Sequence, residues 1–234
     1  ITKGSSLDTL NHKLKNDLAH IIKKEEFKGS AGQSKLVYTR GRLPADYILI
    51  LGLGKHDKIT LETLRKAGDA VQGTAKQIKA KNIAVAISAS LPKKFSEVQT
   101  VSAFCEGLIL GSYQFTRYTK PGKDLIESVA VYGVAHKNAE AVRAGFSRTQ
   151  SICHAVCLAR DLINTPACDM TPKHLADAAR GLSGVKTKIH DVRAIKRMKM
   201  NSFLSVALGS TCNPPYFIEM HYKPKGKSKK KIAL

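Results

Sequence analysis

The sequence predicts an α/β fold in two parts, and three observations carry that reading. Short apolar runs suited to strands alternate with longer segments whose apolar residues recur at three- and four-residue spacing. Gly and Pro punctuate the joints between them. The 234 residues, 43% hydrophobic, suffice for a substantial core in one large or two modest domains.

Taken in order, Leu7, Leu10, Leu14, Leu18, Ile21 and Ile22 share one face of an amphipathic helix that Ser5 or Ser6 starts. Gly29 to Gly32 breaks it. Residues 34–39 and 47–51 read as strands, the second a nearly continuous apolar run suited to a buried sheet. Leu61, Leu64, Ala67, Val71, Ala75 and Ile78 mark a second helix, capped by Thr60 with Glu62 in its first turn. A strand at 83–88, an apolar helix at 98–113 and a strand at 128–134 follow. A long helix from about 139 to 162 then delivers the chain to Asn164-Thr165-Pro166. Pro166 disfavours helical geometry at Thr165, so the helix ends there. Thr171-Pro172 reads as an N-cap with Pro at the first helical position, which starts a helix over 172–182. Strands are expected at 186–192, 203–208 and 216–222, with a short helix before Met200, and residues 232–234 begin another strand. The boundary falls near residue 163, giving domains 1–163 and 164–234, and the second has too few elements to close a large α/β domain.

Composition narrows the function. No run of about 18 apolar residues exists, so no membrane-spanning segment is expected. The chain begins with Ile1 and shows no signal-peptide pattern, which reads as a trimmed or processed start. Five cysteines at scattered spacings make a poor disulfide framework and fit a reducing, cytoplasmic compartment. The net charge of +21 favours polyanions such as nucleic acid, or it decorates solvated faces. With no Trp and only 6% aromatics, base stacking has little to work with.

Four local patterns invite chemistry. Gly52-Leu53-Gly54 follows a strand as a dinucleotide fingerprint would, but Asp57 stands where that fingerprint needs a small residue, so a tight turn is the better reading. Cys153 and Cys157, with His154 between them, share a helix face but have no further ligands paired by sequence, which favours core packing. Asp169 and His174, five apart, support no particular reaction. The six lysines between Lys223 and Lys231 form a nucleic-acid patch or, given Pro224, Gly226 and Ser228 among them, a solvated hairpin loop. These two readings are not exclusive. No complete catalytic constellation is present.

The stretch Arg160-Asp161-Leu162-Ile163-Asn164-Thr165-Pro166-Ala167-Cys168-Asp169-Met170-Thr171-Pro172 nevertheless resembles, almost residue for residue, the segment opening the catalytic domain of the leucyl aminopeptidase family. Cys168 replaces the usual Asn. Leu51-Gly52-Leu53-Gly54-Lys55 and the helix end Tyr113-Gln114-Phe115 resemble motifs of that family's N-terminal domain. Met200-Asn201-Ser202-Phe203-Leu204-Ser205-Val206-Ala207-Leu208-Gly209-Ser210 resembles a later one, with Lys199 in place of the usual Gly before the Met. Ile232-Ala233-Leu234 resembles the strand leading into Val-Gly-Lys-Gly.

The resemblance implies a macro-like N-terminal domain, with a mixed sheet flanked by helices, followed by the first elements of an α/β metallo-aminopeptidase domain. It implies a cytosolic enzyme that removes N-terminal residues from peptides, usually as a hexamer, using two divalent metal ions (Zn or Mn). The family's ligands and catalytic residues lie beyond the position of Leu234, so no catalytic, metal or cofactor-binding residue is assigned within 1–234, and the chain alone is expected to be inactive. The alternative expectation is a basic DNA-binding, regulatory or assembly module of such a protein, the DNA-binding role acting through the N-terminal domain.

Overall fold

The computed structural model describes residues 6–87, 91–92, 94–120, 126–210, 212–224, 226 and 233. The expectations that fall on Ser5, Ser88, Lys225, residues 227–232 and Leu234 lie outside them. The chain divides into two compact units, Ile1–Leu158 and Ala159–Leu234.

The first unit opens on two helices where the sequence pattern predicts one. Helix α1 (Ser6–Lys13) and helix α2 (Asp17–Lys24) are separated by Lys15 and Asn16, whose φ angles are 53° and 65°. Asparagine tolerates this left-handed geometry. Side chains fix it, because the Asn11 amide donates to Asn16 at 2.9 Å and its oxygen accepts from the Ala19 N–H at 2.9 Å. The apolar spacing survives the break. Leu14 and Leu18 are buried with Val37 and Ile50 of the hairpin β1 (Ser34–Tyr38) and β2 (Tyr47–Leu51). That hairpin is antiparallel, with Val37 opposite Ile48. Contrary to the expectation of a buried strand, only Ile50 of β2 is buried. Arg42 ties the hairpin to the helices through the Leu14 carbonyl and Asp17.

Helix α3 (Leu61–Ile78) starts at Thr60, whose hydroxyl accepts from the Thr63 N–H at 3.2 Å. It packs on α4 (Glu97–Gly111) with its backbone almost in contact, because glycines meet at the crossing. A Cβ on Gly107 would collide with the Arg65 carbonyl, and one on Gly68 would lie 2.8 Å from the Leu108 nitrogen. Arg65 flanks the crossing with a 2.9 Å bond to Glu106. Strands β3 (Asn82–Ala86) and β4 (Ser128–Tyr132) pair in parallel on either side of α4 in the sequence, as a β-α-β crossover requires. Glu97 in the first turn of α4 accepts from the Ala135 N–H at 3.1 Å and the Asn138 amide at 3.0 Å, holding the exit of β4. Both pairing senses therefore occur in this unit, in separate two-stranded ladders among the described residues.

Helix α5 (Ala139–Asn164) runs into the second unit. That unit contains α6 (Pro172–Arg180), β5 (Val185–His190), α7 (Val192–Arg197), α8 (Asn201–Ala207) and β6 (Phe217–Tyr222). Strands β5 and β6 are antiparallel, Ile189 facing Ile218. Ala176 and Ala179 of α6 and Ile195 of α7 are buried, and Thr187 of β5 bonds to the Ala179 carbonyl at 3.1 Å. Two strand expectations are corrected here. Val192 belongs to α7, because Asp191 caps that helix by accepting from the Ala194 N–H at 2.8 Å. Residues 203–208 are not a strand, since 201–207 form α8 and the Leu204 N–H reaches the Met200 carbonyl at 3.1 Å. A short apolar run fits either state, and here Phe203 turns its ring onto Phe217 at 5.9 Å.

Lys199 sits between α7 and α8 with φ 55°, in the region glycine adopts freely. It is the position at which the resemblance expects Gly. Lys199→Gly is therefore expected to raise stability by about 1 kcal/mol, the strain relieved exceeding the entropy lost. A lowered midpoint in urea denaturation would contradict this.

Candidate functional site

The segment from Arg160 to Pro172 folds as a built joint. At the end of α5 the Thr165 N–H and hydroxyl both donate to the Asp161 carbonyl, at 3.1 and 2.7 Å. Thr165 is buried. The Pro166 carbonyl then accepts from the Asp169 and Met170 N–H groups at 2.9 and 2.8 Å, closing a turn. Thr171 caps α6, Pro172 opens it, and the His174 ring lies 2.9 Å from the Thr171 hydroxyl. Asp169 and His174 thus serve a turn and a helix start. Cys168, the departure from the family pattern, is exposed.

The other sequence-predicted features also resolve into packing. Gly52 is wedged against Gly29 and Ser30, its N–H bonded to the Gln33 carbonyl at 2.7 Å and its carbonyl accepting from Gly32 at 3.2 Å. The Gly54 N–H reaches the Gly29 carbonyl at 2.9 Å. These backbone groups are already bonded to the 29–33 segment, so none is presented to a phosphate. Cys153 is fully buried and Cys157 half-buried. Burial, with Cys153 nearby, pushes the Cys105 thiol up to about 11, so it is neutral and inert at physiological pH. None of the five cysteines forms a disulfide. Lys223, at the start of the lysine cluster, is exposed.

Sequence reasoning missed one pair. His190 at the end of β5 is 7% exposed, and its Nε2 lies 2.9 Å from Glu219 of β6. Its ring rests on Phe217, 5.6 Å between centroids. Only the strand register brings the two together, and neither strand alone signals it. The hydrogen bond to His190, with help from the charges of His190, Lys188 and His221 and against the opposing effect of desolvation, holds the Glu219 carboxyl below its ordinary range. A lowered folded-state value means that the unfolded chain binds the proton first. The pair's contribution is therefore present above the ordinary carboxylate range, about 4.3, and is lost as pH falls through the folded value. Glu219→Gln should be less stable than the parent near pH 6, with the difference closing in strong acid. Chemical denaturation across that range checks this, and a difference that does not vary with pH contradicts it.

Among the described residues no group of three or more His, Cys, Asp or Glu is placed to hold a metal ion. No described helix is long and apolar enough to cross a membrane.

Comparison with known proteins supplies what the side chains do not. The family model described as the cytosol aminopeptidase family, N-terminal domain, matches residues 2–121, and that family's catalytic-domain model matches residues 157–234. A probable cytosol aminopeptidase of Microcystis aeruginosa is 35% identical over 99% of the chain and 46% of its own length. One from a Cyanothece strain is 33% identical over 99% of the chain and 47% of its length. The chain thus spans about half the length of these relatives. Among solved structures, a tomato leucine aminopeptidase mutant superposes with a TM-score of 0.82 at 29% identity, covering 96% of this chain and 44% of that one. The bottromycin maturation enzyme BotP in complex with Mn shares the fold, with a TM-score of 0.73 at 23% identity over 88% of this chain and 42% of its own. With more than half its length matched by the N-terminal model, and the catalytic model following in order, the chain belongs to the cytosol aminopeptidase family.

Proposed function

We propose that residues 1–234 supply the N-terminal domain and the opening part of the peptidase domain of a metal-dependent aminopeptidase. The proposed reaction is release of N-terminal residues from peptides. One observation carries the reading: the catalytic-domain match starts at residue 157, on the helix that leads into the Thr165–Pro172 joint. Domains 1–163 and 164–234, a cytoplasmic location and a hexameric assembly belong to the same proposal.

In the proposed enzyme two divalent ions, Zn or Mn, would supply Lewis-acid assistance to hydrolysis when bound. Mn is named for BotP, a relative in fold. The described residues of this chain do not fit a metal pair, since they offer no cluster of ligands. Their role in the proposed enzyme is to fold and to present the joint that opens the peptidase segment. Residues 1–234 alone, supplied with Mn or Zn and a leucyl anilide, are expected to give no turnover above blank. Measurable metal-dependent turnover overturns this assignment of roles.

A second reading rests on charge. Fifteen Lys and Arg stand against five Asp and Glu in residues 159–234, so this half of the family match is strongly basic. Contact with DNA through this charge would show as duplex binding that weakens steeply with salt. Absence of binding even at low salt removes this reading.

A further inference from the structure

In the first unit a cavity of about 350 Å³ opens between α2 and β1, at the small end of the range of ligand sites. Leu14, Ile21 and Leu36 give it an apolar wall. Its polar lining carries both signs, with Asp17 and Glu25 set against His20 and Arg40. The two walls are braced at both ends of α2, where Asp17 pairs with Arg42 and Glu25 with Lys35. Each carboxylate uses one oxygen for its pair, Asp17 Oδ2 and Glu25 Oε2, and its other oxygen has no hydrogen bond among the described residues. The side chains of His20 and Arg40 have no ion pair or hydrogen bond among the described residues. The backbone of Arg40 is nevertheless fixed, with φ 55° in a turn that the buried Thr39 fastens. The Thr39 N–H and hydroxyl donate to the Asp46 and Ala45 carbonyls at 2.8 and 2.7 Å.

We propose that this cavity binds a free α-amino acid with an apolar side chain. Its carboxylate is held by Arg40 and His20, its ammonium by the free oxygens of Asp17 and Glu25, and its side chain by the apolar wall. The mixed lining selects a zwitterion. A plain carboxylate or a phosphate ester meets repulsion from Asp17 and Glu25, and a plain amine meets it from Arg40, whereas a zwitterion satisfies both signs. The small volume suits one amino acid rather than a peptide. Because both walls are tied together before a ligand arrives, little ordering remains to oppose binding. For the source of the ligand the inference rests on the aminopeptidase reading above, since release of N-terminal residues yields free amino acids. The cavity lies within the N-terminal match, residues 2–121, and on that reading its role is to register released product.

The test is titration of L-leucine into residues 1–234, followed by calorimetry and by amide chemical shifts. Saturable one-to-one binding is expected, with a Kd of about 1 mM or tighter. The shifts should be confined to residues 14–25 and 35–40. Isocaproate lacks the ammonium, isoamylamine lacks the carboxylate and glycine lacks the side chain, so each should bind about tenfold more weakly or worse. Arg40→Gln together with His20→Gln should weaken leucine by a similar factor and leave the melting of the chain unchanged, because both side chains are exposed. If that variant melts differently, the analogue series and the shift map decide. Failure of leucine to saturate overturns the proposal. So does a folded double variant that binds as tightly as the parent, an analogue that matches leucine, or a shift map centred elsewhere. Binding is read without turnover, so its failure leaves the aminopeptidase reading standing. Leucine binding that persists while the chain, joined to the second half of the Microcystis aeruginosa relative, hydrolyses no leucyl anilide keeps the site and counts against the aminopeptidase reading instead.

Discussion

Gly107→Val is expected to lower the stability of the first unit by about 3 kcal/mol, among the largest effects of any single substitution in the chain. Helices α3 and α4 approach so closely that a side chain at 107 has no space before the Arg65 carbonyl, and the obstacle is backbone rather than a side chain that could swing aside. The two helices must separate. Separation also removes the close packing at Gly68 and stretches the Arg65–Glu106 bond across the crossing. Gly73, in the same α3 helix, provides the control, since nothing lies within 4 Å of a Cβ built there. Gly73→Ala should gain up to about 1 kcal/mol from helix propensity. Urea denaturation of both variants decides the point. If Gly107→Val costs no more than a few tenths of a kcal/mol, the described helix crossing is wrong.

Leu18→Ala should cost about 3 kcal/mol. Leu18 is fully buried and lies at the centre of the cluster joining α2 to the hairpin, beside Leu14, Val37 and Ile50. Its removal deletes apolar burial and leaves a cavity between α2 and the hairpin, which Arg42 still joins through Asp17. Amide exchange along 34–38 and 47–51 should accelerate with the loss of global stability, and a variant as stable as the parent would mean that α2 does not seat on the hairpin.

Much of this architecture was legible because its determinants are local. Thr60 and Thr171 announce helix starts through side chains that reach three residues ahead, and Pro166 ends α5 through its own sterics. The apolar runs expected at 47–51, 128–134 and 216–222 hold strands over 47–51, 128–132 and 217–222, because β-branched and aromatic residues suit a pleated surface. What remained hidden depends on partners remote in sequence. The break at Lys15 and Asn16 is stabilised by Asn11, which the apolar spacing does not reveal. Residues 203–208 carry a run compatible with strand or helix, and the ring of Phe217 lies against the helical form. The His190–Glu219 pair exists only through register.

The family motifs divide in the same way. Their glycines and prolines serve turns and helix ends, and the side chains of the candidate site are structural. Asp169 lies in the Pro166 turn, His174 lies at the cap of α6, and Cys153 lies in the core. The joint at Thr165 to Pro172 therefore identifies the chain by the shape it builds rather than by chemistry it performs.

The most direct test is to join residues 1–234 to the second half of the Microcystis aeruginosa relative in one polypeptide and assay leucyl-anilide hydrolysis with and without Mn. The proposed function predicts Mn-dependent turnover by the joined protein and none by residues 1–234 alone. A joined protein that folds cooperatively yet stays at blank with Mn, under conditions where the intact relative is active, would contradict it.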